Sequence, residues 1–362
     1  QRGKDSSGLL YFSGGRYKVE RADYKIQKLM RKIKPYKSEV VVGHSRLITN
    51  GLSDNQPVIG DHVSVFHNGI IVNEAEAWSK TTKERKLQID TEIIAAITDE
   101  HISQEGSLID LPGRILSICR GVAACAIVVP KIGKVLLFSN NGSLYTGELQ
   151  GSQVFASERH SLADIGCINI LQVKDRGIVF DIPVVKSDFD ITDTVQRIGN
   201  LIPELSTNGT EESMLEYRNT DLTRCSRCIL PETMPFIHFD GQGVCNYCLN
   251  HRTRNATKPR RELFDLVEPY RRLGEVDCIV PFSGGRDSCY ALHLIVNELK
   301  MRPITYTYDW GMVTDLGRRN ISQICGDMGI ENIIIAADIS KKRENIKKNL
   351  KAWLKSPHLG MM

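Results

Sequence analysis

The chain lacks any apolar run near the roughly 18 residues that a membrane-crossing helix needs, so no membrane span is expected. It also lacks a strong charge of either sign: the net charge is +4 over 362 residues. So small a charge does not call for nucleic acid, and nucleic acid is not expected as a partner. There is no disulfide framework. Of ten cysteines, four are clustered and the rest scattered, which reads as one metal site plus buried thiols in a reducing compartment, with the cytoplasm as the expected location. Asn208-Gly-Thr matches the glycosylation pattern, a match common by chance. No initiator methionine precedes Gln1-Arg-Gly-Lys, and the chain stops at Gly360-Met-Met362, so a piece truncated at both ends is expected. What is present is ordinary for a globular protein. An apolar fraction of 41% and a charged fraction of 25% suit a chain with two or three hydrophobic cores.

One stretch stands out. Val280-Pro-Phe-Ser-Gly-Gly-Arg-Asp-Ser288 follows the apolar Cys278-Ile-Val and precedes a helical pattern. Strand, glycine turn and helix start together suit a phosphate: the glycines let backbone N–H groups turn inward, and the helix adds its positive end. The spacing and the lysine of a Walker A motif are missing. A glycine-rich turn before a surface helix is the plainer alternative. The pattern Ser-Gly-Gly-x-Asp-Ser resembles the PP-loop of ATP pyrophosphatases, which hold pyrophosphate while ATP is split to AMP. The resemblance implies bound ATP and Mg2+, with Ser283, Gly284, Gly285 and Ser288 on phosphate oxygens and Asp287 near the metal or the pyrophosphate.

The first half alternates differently. Ile26, Leu29, Met30 and Ile33 fall at helical spacing, with a basic opposite face that reads as solvated. Val40–Thr49, Val63–Val72, Val122–Val129, Lys134–Ser139 and Gln153–Ser157 read as strands. A helix is expected to start at Asp90 or Thr91, one of them capping it. Strand pairs with a few helices predict a sheet-on-sheet core covered by helices.

Arg2-Gly-x-Asp-Ser-x-Gly8, Gly43-His-Ser-Arg46, His67-Asn-Gly69, Asp90-Thr-Glu92 and Phe155-Ala-Ser-Glu158 occur in the order and spacing of class II glutamine amidotransferase domains. The resemblance spans about residues 1–185 and implies an N-terminal-nucleophile (Ntn-type) glutaminase with an αββα sandwich. Glutamine hydrolysis needs a nucleophile, an oxyanion hole and clamps for the amino-acid head. By resemblance, Arg46 pairs with the glutamine carboxylate, Asp90 holds its ammonium group, and Asn68 and Gly69 form the oxyanion hole, with Gly69 also touching glutamine. Arg2 supports the site, while His44 and His67 are structural. Read alone, Asn68-Gly69 is a hairpin turn signal and Asp90 a helix cap. The family's nucleophile is an N-terminal cysteine, expected ahead of Arg2. Cys119, Cys125 and Cys167 lie in or beside apolar runs and read as buried thiols.

From Lys186 to Thr223 the pattern weakens into a linker, with one short helix expected over Asp193–Ile198. Cys225-Ser-Arg-Cys228 and Cys245-Asn-Tyr-Cys248 follow, with sixteen residues between them. Two such knuckles match a four-thiolate zinc ribbon over about 224–255; four protein ligands leave no open position, so the zinc is structural. An iron–sulfur cluster or a redox dithiol pair stays open.

Residues 256–362 alternate helix and strand, which predicts an α/β doubly wound parallel sheet. Its strands are Cys278–Phe282, Ile304–Tyr308 and Asn332–Ala336, and the strand ends at Tyr308-Asp-Trp310 and Asp338 are candidate ligand positions. Ribbon and loop together resemble the N-acetyl sugar amidotransferases of surface-polysaccharide (lipopolysaccharide) synthesis, with Cys225–Pro231, Phe239–Cys248, Ser283–Ser288, Asp309-Trp310 and Gly317-Arg-Arg-Asn320 carrying the likeness. The implied activity is a glutamine- and ATP-dependent ligation in which ammonia converts an acetamido group of a sugar into an acetamidino group, with ammonia travelling through an internal passage. Asparagine-synthetase-like amidation of a carboxylate, a tRNA-thiolating enzyme and a non-catalytic scaffold are the alternatives, and a homodimer is left open.

Overall fold

The structure is a computed structural model. It describes residues 6–35, 37–46, 54–186, 189–193, 222–252, 258–310, 313–336 and 338–356. Arg2 and positions 194–198 of the expected short helix lie outside them. The chain divides into two compact units, Gln1–Leu201 with Tyr270–Met362, and Ile202–Pro269.

The first unit begins with a layered front region. Strands β1 (Ser6–Ser13), β2 (Arg16–Ala22) and β3 (Val41–Arg46) form an antiparallel sheet, with helix α1 (Ile26–Ile33) between β2 and β3. A second sheet runs β11-β7-β6-β5-β4, built from β4 (Val58–Ile59), β5 (Ser64–Ile71), β6 (Gly121–Val129), β7 (Lys134–Ser139) and β11 (Ile178–Asp181). Between β5 and β6 come α2 (Glu74–Trp78), α3 (Thr91–Ser103) and α4 (Leu111–Ile118). A smaller sheet joins β8 (Tyr145–Leu149), β9 (Ser152–Ala156) and β10 (Ile168–Gln172), with α5 (Arg159–Asp164) packed on it.

Side-chain alternation sorts these elements into layers. On β6, Ala124, Ala126 and Val128 meet Leu10, Tyr17, Val19 and Val42 of the first sheet, while Ala123, Cys125, Ile127 and Val129 meet Ile93, Ile94 and Ile97 of α3. On β1, Leu10 faces the second sheet and Leu9 and Tyr11 face Leu29 of α1. A period-2 strand can serve two cores at once in this way, and the outcome is helix, sheet, sheet, helix, as the αββα expectation has it. The expected linker is shorter at its start: β12 (Asp190–Asp193) pairs in parallel with β2, so the first sheet reaches beyond residue 185.

The rear region of the same unit follows its expected alternation. Strands β13 (Cys278–Pro281), β14 (Pro303–Asp309) and β15 (Asn332–Ala336) are parallel. In the second unit lie α6 (Asn246–Leu249) and α7 (Arg260–Val267). The rear sheet's own helices are α8 (Arg286–His293), continuing as a π-turn through Glu298, then α9 (Asp315–Met328) and α10 (Ile339–Lys355). The strand order β13-β14-β15 has no reversal, so these strands are wound in one direction and not doubly wound. Strand–helix alternation dictates parallel pairing but says nothing about which side of the first strand the third one joins. No helix among the described residues is long and apolar enough to cross a membrane.

Front and rear share a core. Val122 of β6 packs with Val280, Phe282, Leu292, Ile321, Cys325 and Ile330. Gly326 of α9 lies so close that an added Cβ would fall 2.3 Å from the Gly121 carbonyl oxygen.

Candidate active site between the front sheet and the rear strands

Strands β3 and β5 and the start of α3 bring four of the expected residues to one cavity of about 120 Å3, lined by Arg46, Asn68, Gly69 and Asp90. Arg46 ends β3 and is buried, and its guanidinium donates to the Asp54 carbonyl. The Asp54 carboxylate accepts the Gln88 and Ile89 N–H groups at 2.5 and 3.2 Å, tying the Arg46 support to the segment entering Asp90.

Asp90 holds the N-cap position of α3, as expected, but its side chain makes no capping bond. Its Oδ2 accepts the Ile71 N–H at 2.8 Å, and its Oδ1 lies 3.9 Å from His67 Nδ1. Asn68 and Gly69 are no hairpin turn either. They sit within β5, opposite Ala124 and Ala123 of β6. Gly69 has φ +151°, and a Cβ there would stand 1.9 Å from the Val122 oxygen, so the position demands glycine. The Asn68 side chain has no hydrogen-bond partner among the described residues and is exposed at the mouth of the site.

His67, expected to be structural, is buried, and its Nε2 bonds the Val122 carbonyl at 3.0 Å. Its backbone is clamped by Gln56, whose Oε1 accepts the His67 N–H at 2.7 Å and whose Nε2 donates to the His67 carbonyl at 2.8 Å. Gln56 had no motif to mark it. His44 also lines the cavity, and burial pushes its imidazole down to about 3, with the Arg46 and His67 charges adding. Its Nδ1 and the hydroxyl of Ser143, another lining residue, find no hydrogen-bond partner among the described residues. Cys119 and Cys125 are buried thiols, Cys119 pushed up to about 12 by burial first and Asp90 second; Cys125 faces α3, away from the first sheet. Cys167 is half-buried, on the exposed β10 edge, so apolar neighbours in sequence overstate its burial.

The opposite wall of this cavity belongs to the rear region: Thr307, Asp309, Asn332 and Ile334 of its strands, Arg318, Ile321 and Ser322 of α9, and Val313 ahead of that helix. Asp309 lies at a strand end, as expected. It ends β14, buried, and pairs with Arg318 Nη2 at 2.8 Å. Thr307 donates to the Phe282 carbonyl at 2.6 Å, and Asn332 donates to Thr305 and Thr307 at 2.9 and 3.1 Å, which stitches the strand ends together. Trp310 is half exposed, beside Lys342, and Asp338 caps α10 through the Lys341 N–H.

The glycine loop is next to this wall without lining the cavity. Ser288 Oγ donates to the Gly285 carbonyl at 2.9 Å and lies 3.2 Å from Ser283 Oγ. Gly284 has φ +72°, and a Cβ there would meet the Gly317 oxygen at 2.5 Å. Asn320 of α9 donates to the Gly284 carbonyl at 3.2 Å. Asp287 is exposed beside Arg286 in the first turn of α8.

In the second unit, Cys225, Cys228, Cys245 and Cys248 converge, all four sulfurs within 4.8 Å of one another. Cys225 Sγ to Cys248 Sγ is 3.9 Å and Cys228 Sγ to Cys245 Sγ is 3.6 Å. A tetrahedral zinc with Zn–S of about 2.3 Å has S···S edges of about 3.8 Å, so the donor set fits a metal ion. Backbone N–H groups of Arg227 and Cys245 point at Cys225 Sγ, the arrangement that steadies a thiolate.

Residues 44–164 match the family model of the glutamine amidotransferase domain, which supports a class II glutamine amidotransferase domain over that stretch. Glutamine–fructose-6-phosphate aminotransferase (isomerizing) of Mesorhizobium japonicum is 27% identical over 199 residues, 52% of this chain and 33% of that protein. The enzyme of that name from Caulobacter vibrioides is 30% identical over 166 residues, 43% of this chain and 27% of its own length. The chain thus spans about a third of the length of these relatives, which are glutamine-dependent enzymes. A solved B. subtilis glutamine phosphoribosylpyrophosphate amidotransferase aligns with 48% of this chain and 40% of its own at 21% identity, with a TM-score of 0.40, too low to bear on the fold.

Proposed function

We propose that the protein is a glutamine- and ATP-dependent amidotransferase, whose front region releases ammonia from glutamine and whose rear region uses it on an acceptor activated by ATP. The single observation that carries this reading is the shared cavity. Arg46, Asn68, Gly69 and Asp90 line one side and the carboxyl end of β14 the other. Ammonia released into bulk water is protonated and lost, so a cavity shared by the glutamine clamps and the end of β14 suits a transferred neutral molecule. His44 Nδ1 and Ser143 Oγ offer hydrogen bonds to such a guest.

Arg46 and Asp90 hold the two charges of the glutamine head, a fork-to-carboxylate pair at one and an ammonium contact at the other. Asn68 Nδ2 and the Gly69 N–H stabilise the oxyanion that forms when a thiolate attacks the side-chain amide. None of Cys119, Cys125 and Cys167 supplies that thiolate; the reading calls for an N-terminal cysteine. Glutamine and water give glutamate and ammonia.

In the rear, Ser283–Ser288 hold the phosphates of Mg-ATP. An acceptor amide oxygen attacks the α-phosphorus, and pyrophosphate leaves. Ammonia adds to the activated carbon, the oxygen departs with AMP, and protons pass to solvent. The acceptor of this reading is the acetamido group of an N-acetylated sugar. The four cysteines hold structural zinc, and the thiol-rich composition suits the cytoplasm.

The test uses the full-length protein with glutamine labelled with 15N in its side-chain amide, Mg-ATP and a panel of N-acetylated sugars. Label in the product, with AMP and pyrophosphate formed one for one, is the expected result. ADP and phosphate would overturn the nucleotide assignment, and transfer to a carboxylate in place of an acetamide would overturn the acceptor.

A further inference from the structure

We propose that Ser322, a residue of the rear helix α9, positions the strand that carries the oxyanion hole, so that the region consuming ammonia completes the site that releases it. The inference rests on the assignment of Asn68 and Gly69 to the oxyanion hole.

The Ser322 hydroxyl is inserted at the Ile70–Val122 pair of the β5–β6 ladder. It donates to the Ile70 carbonyl at 2.7 Å and accepts the Val122 N–H at 2.8 Å. One hydroxyl thus uses both its donor and an acceptor lone pair on the backbone next to Gly69. The surroundings leave no slack. Gly121 has φ +110°, and a Cβ on it would meet the Ile70 oxygen at 2.1 Å and Ser322 Oγ at 3.1 Å. The same Val122 whose N–H is held by Ser322 presents its carbonyl to His67 Nε2 and closes over Gly69. Ser322 is 4% exposed, and both of its partners are backbone groups of the other region.

Arg319, one helical turn earlier on α9, donates to the Val72 carbonyl at 3.1 Å. The helix therefore grips the carboxyl end of β5 at two points. They are not equivalent: Ser322 acts on the residue adjoining Gly69, Arg319 two residues farther along. Oxyanion donors work only within a few tenths of an ångström of their position, so releasing the nearer grip should cost rate, and releasing the farther one should mainly cost adhesion.

The experiment measures glutamate release by the full-length protein and its variants, scaled to competent sites by titration with 6-diazo-5-oxo-L-norleucine. Ser322→Ala is expected to lower kcat about tenfold, the size of a displaced and not deleted oxyanion donor. The glutamine KM should stay within about threefold of wild type, because the clamps Arg46 and Asp90 are borne by β3 and α3 and not by α9. Ser322→Thr, which restores the hydroxyl, should recover most of the rate. Ser322→Cys, close in size and a weaker donor, should lie between, and it stands in where the alanine variant does not fold. Arg319→Ala should change kcat by less than about threefold. A Ser322→Ala enzyme with wild-type kcat, or an Arg319→Ala enzyme as slow as it, would overturn the proposal while leaving the glutaminase reading intact. A wild-type protein that releases no glutamate would remove both.

Discussion

The front and rear regions of the first unit bury their sheets in different ways. In the front, each of the two larger sheets has a neighbour on both faces, and Leu10, Val19, Ala126 and Leu137 are shut inside. In the rear, one face of the parallel sheet is covered by helices, while Ile279, Tyr308 and Ile335 on the other are 71%, 52% and 42% exposed. Parallel sheets are ordinarily covered on both faces. The rear core is small, and it borrows Val122 from the front. The front is thus a self-sufficient scaffold, and the rear a layer that gains much of its order by docking on it. Docking is also what encloses the cavity.

The largest expected effect lies wholly in the front. Gly69→Ala would push a Cβ against the Val122 carbonyl and displace an oxyanion donor, so glutamate release should fall about 10²–10³-fold in kcat. If the variant retained full activity, the strand would not need its close approach. Next comes the seam. Gly326→Leu would force α9 off Gly121, and overpacking of this kind costs about 1–3 kcal/mol. Thermal unfolding of this variant should show the rear melting ahead of the front; a single unshifted transition would contradict the comparison.

A smaller effect is expected at the polar end of the seam. Tyr145 of β8 donates to Glu331 Oε2 at 2.6 Å, and Gln172 donates to the Tyr145 oxygen at 3.3 Å. Burial and the neighbouring Glu331 carboxylate both raise the phenol's pKa, so it stays a donor throughout the physiological range. Tyr145→Phe should destabilise the protein by about 1–2 kcal/mol, read by urea unfolding, because it removes one partner of a buried carboxylate.

The smallest effect is a pH dependence. His44 has a folded pKa of about 3, below the unfolded value of about 6.5. Between those values the unfolded chain binds a proton that the fold refuses. Its contribution to stability is therefore whole above pH of about 6.5 and lost progressively as pH falls toward 3. A His44→Gln variant should show a flatter fall in Tm than wild type between about pH 7 and pH 5. Equal slopes would show that the ring is not held neutral by burial.

Much of this molecule was legible in the order of its residues. The apolar run Val122–Val129 announced a strand, and the paired knuckles Cys225/Cys228 and Cys245/Cys248 announced a convergence of four sulfurs. These signals are local, because strand period and ligand spacing depend on near neighbours. The site was legible as parts. The blocks at Arg46, Asn68-Gly69 and Asp90 could be named, whereas Gln56, Ser322 and Ser143 carried no mark, and Asp309 and Arg318 were named in separate motifs with nothing to pair them. Asp90 and Asn68-Gly69 also show why local rules mislead when taken singly. A carboxylate before a helix is normally its cap, and Asn-Gly normally turns a hairpin, but here the Ile71 N–H of β5 takes the Asp90 side chain, and pairing with β6 holds Asn68-Gly69 in an extended strand.

Sequence pattern alone was enough for the longer strands, a helix-covered sheet-on-sheet core in the front, the parallel pairing in the rear and the metal-ready cysteines. Each follows from periodicity or from spacing along a few turns of chain. The winding direction of the rear sheet, the glycine-tight seam and the union of two walls into one cavity came only with the folded chain. They depend on contacts such as Ser322 with Ile70 and Glu331 with Tyr145, between residues far apart in sequence, and no short-range rule ties such residues together until the cores have packed.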